Sequence, residues 1–177
     1  MKSFDIIYEG ENVFSVEEVI IYGGYSVCRI LEIIPKELDG KMVDYYVLNP
    51  VFDCRAKIFV PANNPVLEKK MHRVLCEQDA YDLIQSIPQE TEIWIDNPVA
   101  RKERYTDIFT CRNRHEIIGL IKALRSHRAL QATKKRRLHI SDERFLKEAE
   151  KTMCEELAFA LHISPSDVPQ FIAQRLS

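Results

Sequence analysis

The chain of 177 residues is poor in the features that usually announce a chemistry. It has five glycines, and Gly23 and Gly24 are the only adjacent pair, so no glycine-rich phosphate-binding loop can be read in it. No Gly-x-Ser-x-Gly and no His-Glu-x-x-His occurs, which removes two common hydrolase signatures. The five cysteines, Cys28, Cys54, Cys76, Cys111 and Cys154, are odd in number and scattered, with no Cys-x-x-Cys pair. A disulfide framework or a structural zinc site is therefore not expected. Two Cys/His pairs, His72 with Cys76 and Cys111 with His115, stand four residues apart. On helices each pair would share a face, but a small buried hydrophobe beside a partly exposed His is the simpler reading. No uncharged run approaches the length of a membrane span, and the N-terminus lacks the apolar stretch of a signal peptide. These absences predict a cytoplasmic protein, and nothing among the motifs favours catalysis. Acidic pairs such as Glu17 with Glu18 and Glu155 with Glu156 read as solvated faces.

What is present is a strongly uneven charge. The net charge is −2, yet residues 77–96 carry six acids and no Lys or Arg, whereas residues 97–139 carry twelve Lys and Arg against three acids. The change falls beside Trp94, the only tryptophan. Such asymmetry points to a polyanionic partner better than the total does.

The period of the apolar residues divides the chain. Val19 to Tyr22 is a short β-branched and aromatic run. Gly23 and Gly24 signal a turn, and a strand over 25–34 follows, which Pro35 should end because proline cannot donate to a ladder. Asp39 and Gly40 signal a hairpin. Strands are expected over 44–48 and 54–60. Short strands joined by tight turns predict a small antiparallel barrel. The stretch 61–65, with prolines at both ends, reads as a linker. Beyond it the period becomes helical. A helix over 76–86 aligns Ala80, Leu83, Ile84 and Ile87, and the residues from Pro88 to Thr91 break it. Asn97 and Pro98 start a second helix, which carries Arg101, Lys102, Arg104 and Tyr105. A third is expected over 115–130, then a basic loop or frayed end over 131–139 holding Lys134, Lys135, Arg136 and Arg137. Ser141 should cap a long amphipathic helix through Phe145, Ala149, Met153, Leu157 and Leu161. Asp167 should favour the positive end of a last short helix. The fold class is α+β in two modules: a small antiparallel β-barrel at 1–65, including a lead-in at 1–12, and a compact all-helical domain at 66–177.

Several residues, in this order, resemble the CarD/CdnL family of bacterial transcription regulators. Phe14, Ser15 and Val16 followed by Val19 to Tyr22 resemble its opening strand. Gly40 and Tyr45 to Leu48 match its hairpin glycine and next strand. Ile58 to Pro61, then Asn64 and Arg73, match its Val-Pro, Asn and downstream Arg. Trp94 and the run from Arg101 to Tyr105 match its tryptophan and Arg-rich helix, and Glu156 with Leu157 its C-terminal Glu-Leu. Glu17 and Glu18 stand where the family carries Gly-Asp.

The resemblance implies a Tudor-like domain that adds an edge strand to the RNA polymerase β subunit, with contacts from Lys36, Arg55, Lys57 and Phe59. It also implies a helical domain at the upstream edge of melted promoter DNA, where Trp94 wedges into the minor groove and holds the bubble open. The DNA contacts would be Trp94, Arg101, Lys102, Arg104, Tyr105, Lys134, Lys135, Arg136 and Arg137. It implies no cofactor, no catalysis and a monomer. A free strand edge, a basic helix and an aromatic wedge suit these roles physically. Other readings stay open. Trp94 can be a core anchor, the α-helical bases a solvated face, and 134–137 a mobile loop. The lead-in can cover the strand at 54–60. The whole can be a nucleic-acid-binding module or a protein-interaction adaptor without a polymerase partner.

Overall fold

The computed structural model describes residues 14–23, 27–38, 40–53, 55–62 and 64–176. The lead-in at 1–12, Gly24 and Asp39 of the two turn signals, Cys54 and Asn63 lie outside the described residues. Five antiparallel strands form the first module: β1 (Val19–Tyr22), β2 (Val27–Leu38), β3 (Lys41–Pro50), β4 (Ile58–Pro61) and β5 (Met71–Arg73). They lie in the order β4-β3-β2-β1-β5. Alternation sends Ile20, Cys28, Ile30, Tyr46, Leu48 and Val60 into one core with Phe14 and Met71. Burial there pushes the Cys28 thiol up to about 12, as expected of an inert small hydrophobe.

Two sequence expectations fail in this sheet for clear reasons. Pro35 does not end β2; it pairs with Asp44 of β3, three residues before the strand ends at Leu38. β1 pairs with β2 only as far as Val19 opposite Arg29, so the side of β2 beyond that point has no strand partner among the described residues, and a missing N–H there costs little. The sheet also does not stop before the linker. After the short helix α1 (Pro65–Glu68), which Asn64 caps and Pro65 opens, the chain returns as β5 and pairs with β1, Ile21 opposite His72. A three-residue strand offers no readable period, which is why only the helical continuation was legible.

The second module comprises α2 (Glu77–Ser86) with a 3-10 turn at Ile87–Gln89, α3 (Pro98–Cys111), α4 (Arg114–Thr133), α5 (Ile140–Leu161) and α6 (Val168–Arg175). Leu146, Ala149, Met153 and Leu157 of α5 meet Leu120 and Leu124 of α4 and Leu83 and Ile84 of α2 in a single core. Asn97 caps α3 as expected, accepting from Val99 and Ala100. α4 runs on to Thr133, and α5 starts at Ile140 with His139 as its cap, accepting from Ser141. The segment between them is thus a tight basic turn rather than a frayed end.

Glu156 joins the modules and corrects the reading of the 155–156 acids as a solvated face. Its carboxylate is fully buried and accepts from the guanidinium groups of Arg112 (3.3 Å) and Arg114 (2.6 Å) and from the Leu75 amide (3.4 Å). Arg114 also donates to the Arg73 carbonyl at the end of β5. Arg112 holds its position at the α3–α4 junction in a left-handed conformation (φ 54°). This junction also separates Cys111 from His115, while His72 lies on β5 and Cys76 caps α2. Neither Cys/His pair therefore lies on one helix.

Candidate functional site

Two surfaces present the residues singled out in the sequence. The first is the β4 edge of the sheet. The Ala62 amide donates to the Asp44 carbonyl (2.7 Å), and the register pairs Val60 with Tyr46 and Ile58 with Leu48. Ladder alternation then turns the amides of Val60 and Ile58 inward and aims those of Phe59 and Lys57 away from β3. Among the described residues no strand pairs with that side of β4. Phe59 is 46% exposed, and Lys36 Nζ lies over its ring at 3.8 Å and over Tyr45 at 5.6 Å. Lys57 is exposed two residues before Phe59. Arg55 pairs with Asp53 (3.2 Å), which lowers the Asp53 carboxyl. Lys36 and Phe59 thus meet directly, and Lys57 and Arg55 follow along the same edge. Sequence reasoning missed Leu38 and Met42, exposed apolar residues at the end of the β2–β3 hairpin; their alternation was obscured by the polar hairpin around them.

The second surface is the end of the helical module where Trp94 sits. Residues 90–96 cross α4 in an extended path, and the Ile93 amide donates to the Gly119 carbonyl (3.1 Å). A Cβ at position 119 would lie 2.4 Å from the Thr91 carbonyl oxygen, so only glycine admits this crossing. Gly119 is therefore the residue that sets Trp94 in place. Trp94 is half-buried against the helical core. Its ring stacks on His127 (3.8 Å between centroids, 18° apart) and carries the Arg101 guanidinium at 4.2 Å. Its indole N–H donates to Asp96 (2.9 Å).

The structure corrects two of the expected DNA contacts. Arg101 is only 5% exposed. Its guanidinium grips both Asp142 oxygens (3.1 and 2.8 Å) and donates to the carbonyls of Ile95 and Asp96. Tyr105 is fully buried, donates to the Ile93 carbonyl (2.9 Å), and burial pushes its hydroxyl up to about 12. Both side chains hold the 93–96 segment against the helices and present nothing to a partner. Their helical spacing gave them the look of one face; their acceptors are Asp142, 41 residues on in α5, and carbonyls of the extended segment before α3.

The remaining bases fall into two groups. Arg104 is half-buried and pairs with Glu116. Lys102, Lys134, Lys135, Arg136 and Arg137 are exposed. Arg136 and Arg137 line a groove of about 570 Å³ together with Arg128 of α4 and Arg144 and Lys147 of α5; Glu143 is the one acid there. Arg144 also borders a hollow of about 260 Å³ with Lys102 and Glu148. It therefore links Lys102 to the turn. Arg128, Arg144 and Lys147 were missed. Their signal was present as bases three apart at 144 and 147, but in a stretch dominated by acids.

Residues 14–75 match the family model described as the CarD-like/TRCF RID domain. The match starts at Phe14 of the sheet core and ends just past β5, so it spans the sheet and leaves α2 to α6 outside. The likeness to the CarD family read from the sequence therefore holds for the sheet module, the Tudor-like, polymerase-interacting domain of that family. The family is one of transcription factors that engage the RNA polymerase β subunit, and its domain is non-enzymatic. No curated protein matches the chain.

Proposed function

We propose that this chain is a non-enzymatic transcription regulator that docks on the RNA polymerase β subunit through β4 and stabilises the open promoter complex with its helical module. The observation that carries the reading is the β4 edge within a sheet that matches a polymerase-interacting family: outward amides at Lys57 and Phe59, with Lys36 and Arg55 beside them. Strand addition there supplies main-chain hydrogen bonds, and the exposed Phe59 supplies an apolar contact. The module boundary falls after β5, and the buried Glu156 cluster sets the docking edge at a fixed attitude to the bases of the helical module. Upstream promoter DNA lies against Lys102 and the turn from Lys134 to Arg137, where phosphate contacts hold it without reading sequence. Trp94 is stacked on His127, the neighbour of Arg128 in the chain; to act as a wedge it must leave that stack. The protein works in the cytoplasm, as a monomer and without a cofactor.

Proline at position 57 tests the docking edge. Lys57→Pro removes one outward donor and should abolish capture by the purified β lobe while the helical module keeps its unfolding transition. Unchanged capture by the folded variant rejects β4 as the docking strand.

A further inference from the structure

The chain has thirteen arginines. Eight are paired with carboxylates: Arg29, Arg55, Arg73, Arg101, Arg104, Arg112, Arg114 and Arg125. Arg175 lies over the rings of Tyr81 and Phe171. Among the described residues the four without such a partner are Arg128, Arg136, Arg137 and Arg144, and all four line the groove at the α4–α5 turn. Lys147 joins them there. A concave surface with five cations and one acid attracts an extended polyanion far better than it attracts water or simple ions.

The groove also has an apolar element. Ile140 lines it and is 78% exposed, the most exposed of the large apolar side chains among the described residues. Single exposed apolar residues are ordinary, but this one is fixed. It is the first residue of α5, behind a His139 cap that accepts from Ser141, and Leu138 two residues earlier is buried and pins the turn. Arg136, Arg137 and Arg144 line the same groove. An apolar tip that shares a groove with unpaired bases on a rigid element is the arrangement that inserts at a base step while the neighbouring cations hold the flanking phosphates.

We propose that the α4–α5 groove is the site that seats the DNA backbone, with Arg128, Arg136, Arg137, Arg144 and Lys147 on the phosphates, and that Ile140 is the side chain that inserts into the minor groove beside them. The proposal rests on the reading that the helical module contacts promoter DNA. It shifts the insertion from Trp94, which is held by His127 and Arg101, to a residue that needs no release. The occupant is nucleic acid because a minor groove sets a row of phosphates on each side of an apolar insertion, a regular spacing of negative charge that suits several unpaired cations in a groove with one exposed apolar tip.

The test uses the full chain and promoter duplex DNA carrying 2-aminopurine at successive steps, titrated over a salt series. Replacing Arg136 and Arg144 together by Gln should lower the slope of log K against log salt by about two units. Ile140→Ser should leave that slope unchanged, weaken binding about tenfold, and abolish the fluorescence rise that reports unstacking. Ile140→Leu should restore both. An unaltered slope in the double variant overturns the groove as the phosphate site. Undiminished unstacking in Ile140→Ser overturns the insertion, even if the groove stands. If the unaltered chain binds an acidic peptide as tightly as DNA, the choice of ligand is overturned. If it binds no DNA at all, the promoter-contact reading itself has failed, an outcome separate from the other three.

Discussion

Helix α3 and the α4–α5 turn carry the same residue types and behave as opposites. On α3 the arginines are engaged within the protein: Arg101 by Asp142 and two carbonyls, Arg104 by Glu116. At the turn, Arg136 and Arg137 have no such partner among the described residues and stand in open solvent beside Arg128 and Arg144. The turn is the more densely charged, with four bases and no acid over 134–137 against three bases and two acids on α3, but density alone does not set the outcome. What differs is the supply of acceptors at long range, which α3 meets because it lies under the start of α5 and beside the 93–96 segment. A basic helix in a sequence is therefore not by itself a nucleic-acid surface; the bases that lack an internal acceptor are the ones left for a partner.

The largest effect that can break this contrast is at Arg101. Arg101→Ala leaves Asp142 buried without its partner and frees the Ile95 and Asp96 carbonyls. Removing one member of a buried pair costs about 3–5 kcal/mol. Denaturant unfolding should show that loss, while the salt slope for DNA stays as it was. A stable variant with a reduced slope would mean that Arg101 contacts phosphate and that the contrast is wrong.

Much of the architecture was legible in the sequence because it is written in local period. The two modules, the Asn97 cap and the core face of α5 all follow from spacing and capping residues. The misses share a cause. Pro35 inside β2, β5 pairing back to β1, the buried Glu156 and the engaged Arg101 each depend on a partner more than twenty residues distant or on the lack of one. Of the surface along β4, Lys36 and Phe59 were singled out from the sequence, whereas the exposed Met42 of the β2–β3 hairpin was not. Of the basic surface, the 134–137 turn was legible and Arg144 was not, since nothing on α5 alone marks which base faces a groove shared with α4.

Trp94 gives a middle-sized effect and sharpens the comparison, for it packs against α3 and α4 at once. It is half-buried, stacked on His127 of α4 and topped by Arg101 of α3. Trp94→Ala removes packing, the stack and the cation contact, against about 3–5 kcal/mol for truncating a fully buried aromatic; about half that loss is expected here. The open-complex lifetime should fall less than in Ile140→Ser. A lifetime loss larger than that of Ile140→Ser, with stability retained, would return the wedge to Trp94.

The smallest effects separate neighbours on α3. Lys102 and Arg104 lie two residues apart, yet Lys102 is exposed beside Arg144 and Arg104 is half-buried against Glu116. If pairing decides which bases reach DNA, the two should respond differently to the same loss of charge. Lys102→Gln should leave stability within about 0.5 kcal/mol and lower the salt slope by about one unit, the weight of one phosphate contact. Arg104→Gln should leave the slope untouched and cost up to about 1 kcal/mol, the range of a partly exposed ion pair. Restoring the Arg104 loss through Glu116→Gln in the same chain would show that the pair, and not the residue, carries the stability, since the second change removes the carboxylate that the first left unpaired. Equal reductions of slope in the two single variants would show that α3 contacts DNA along its whole face, and the distinction between engaged and unengaged bases would then fail at the position where the two kinds stand closest.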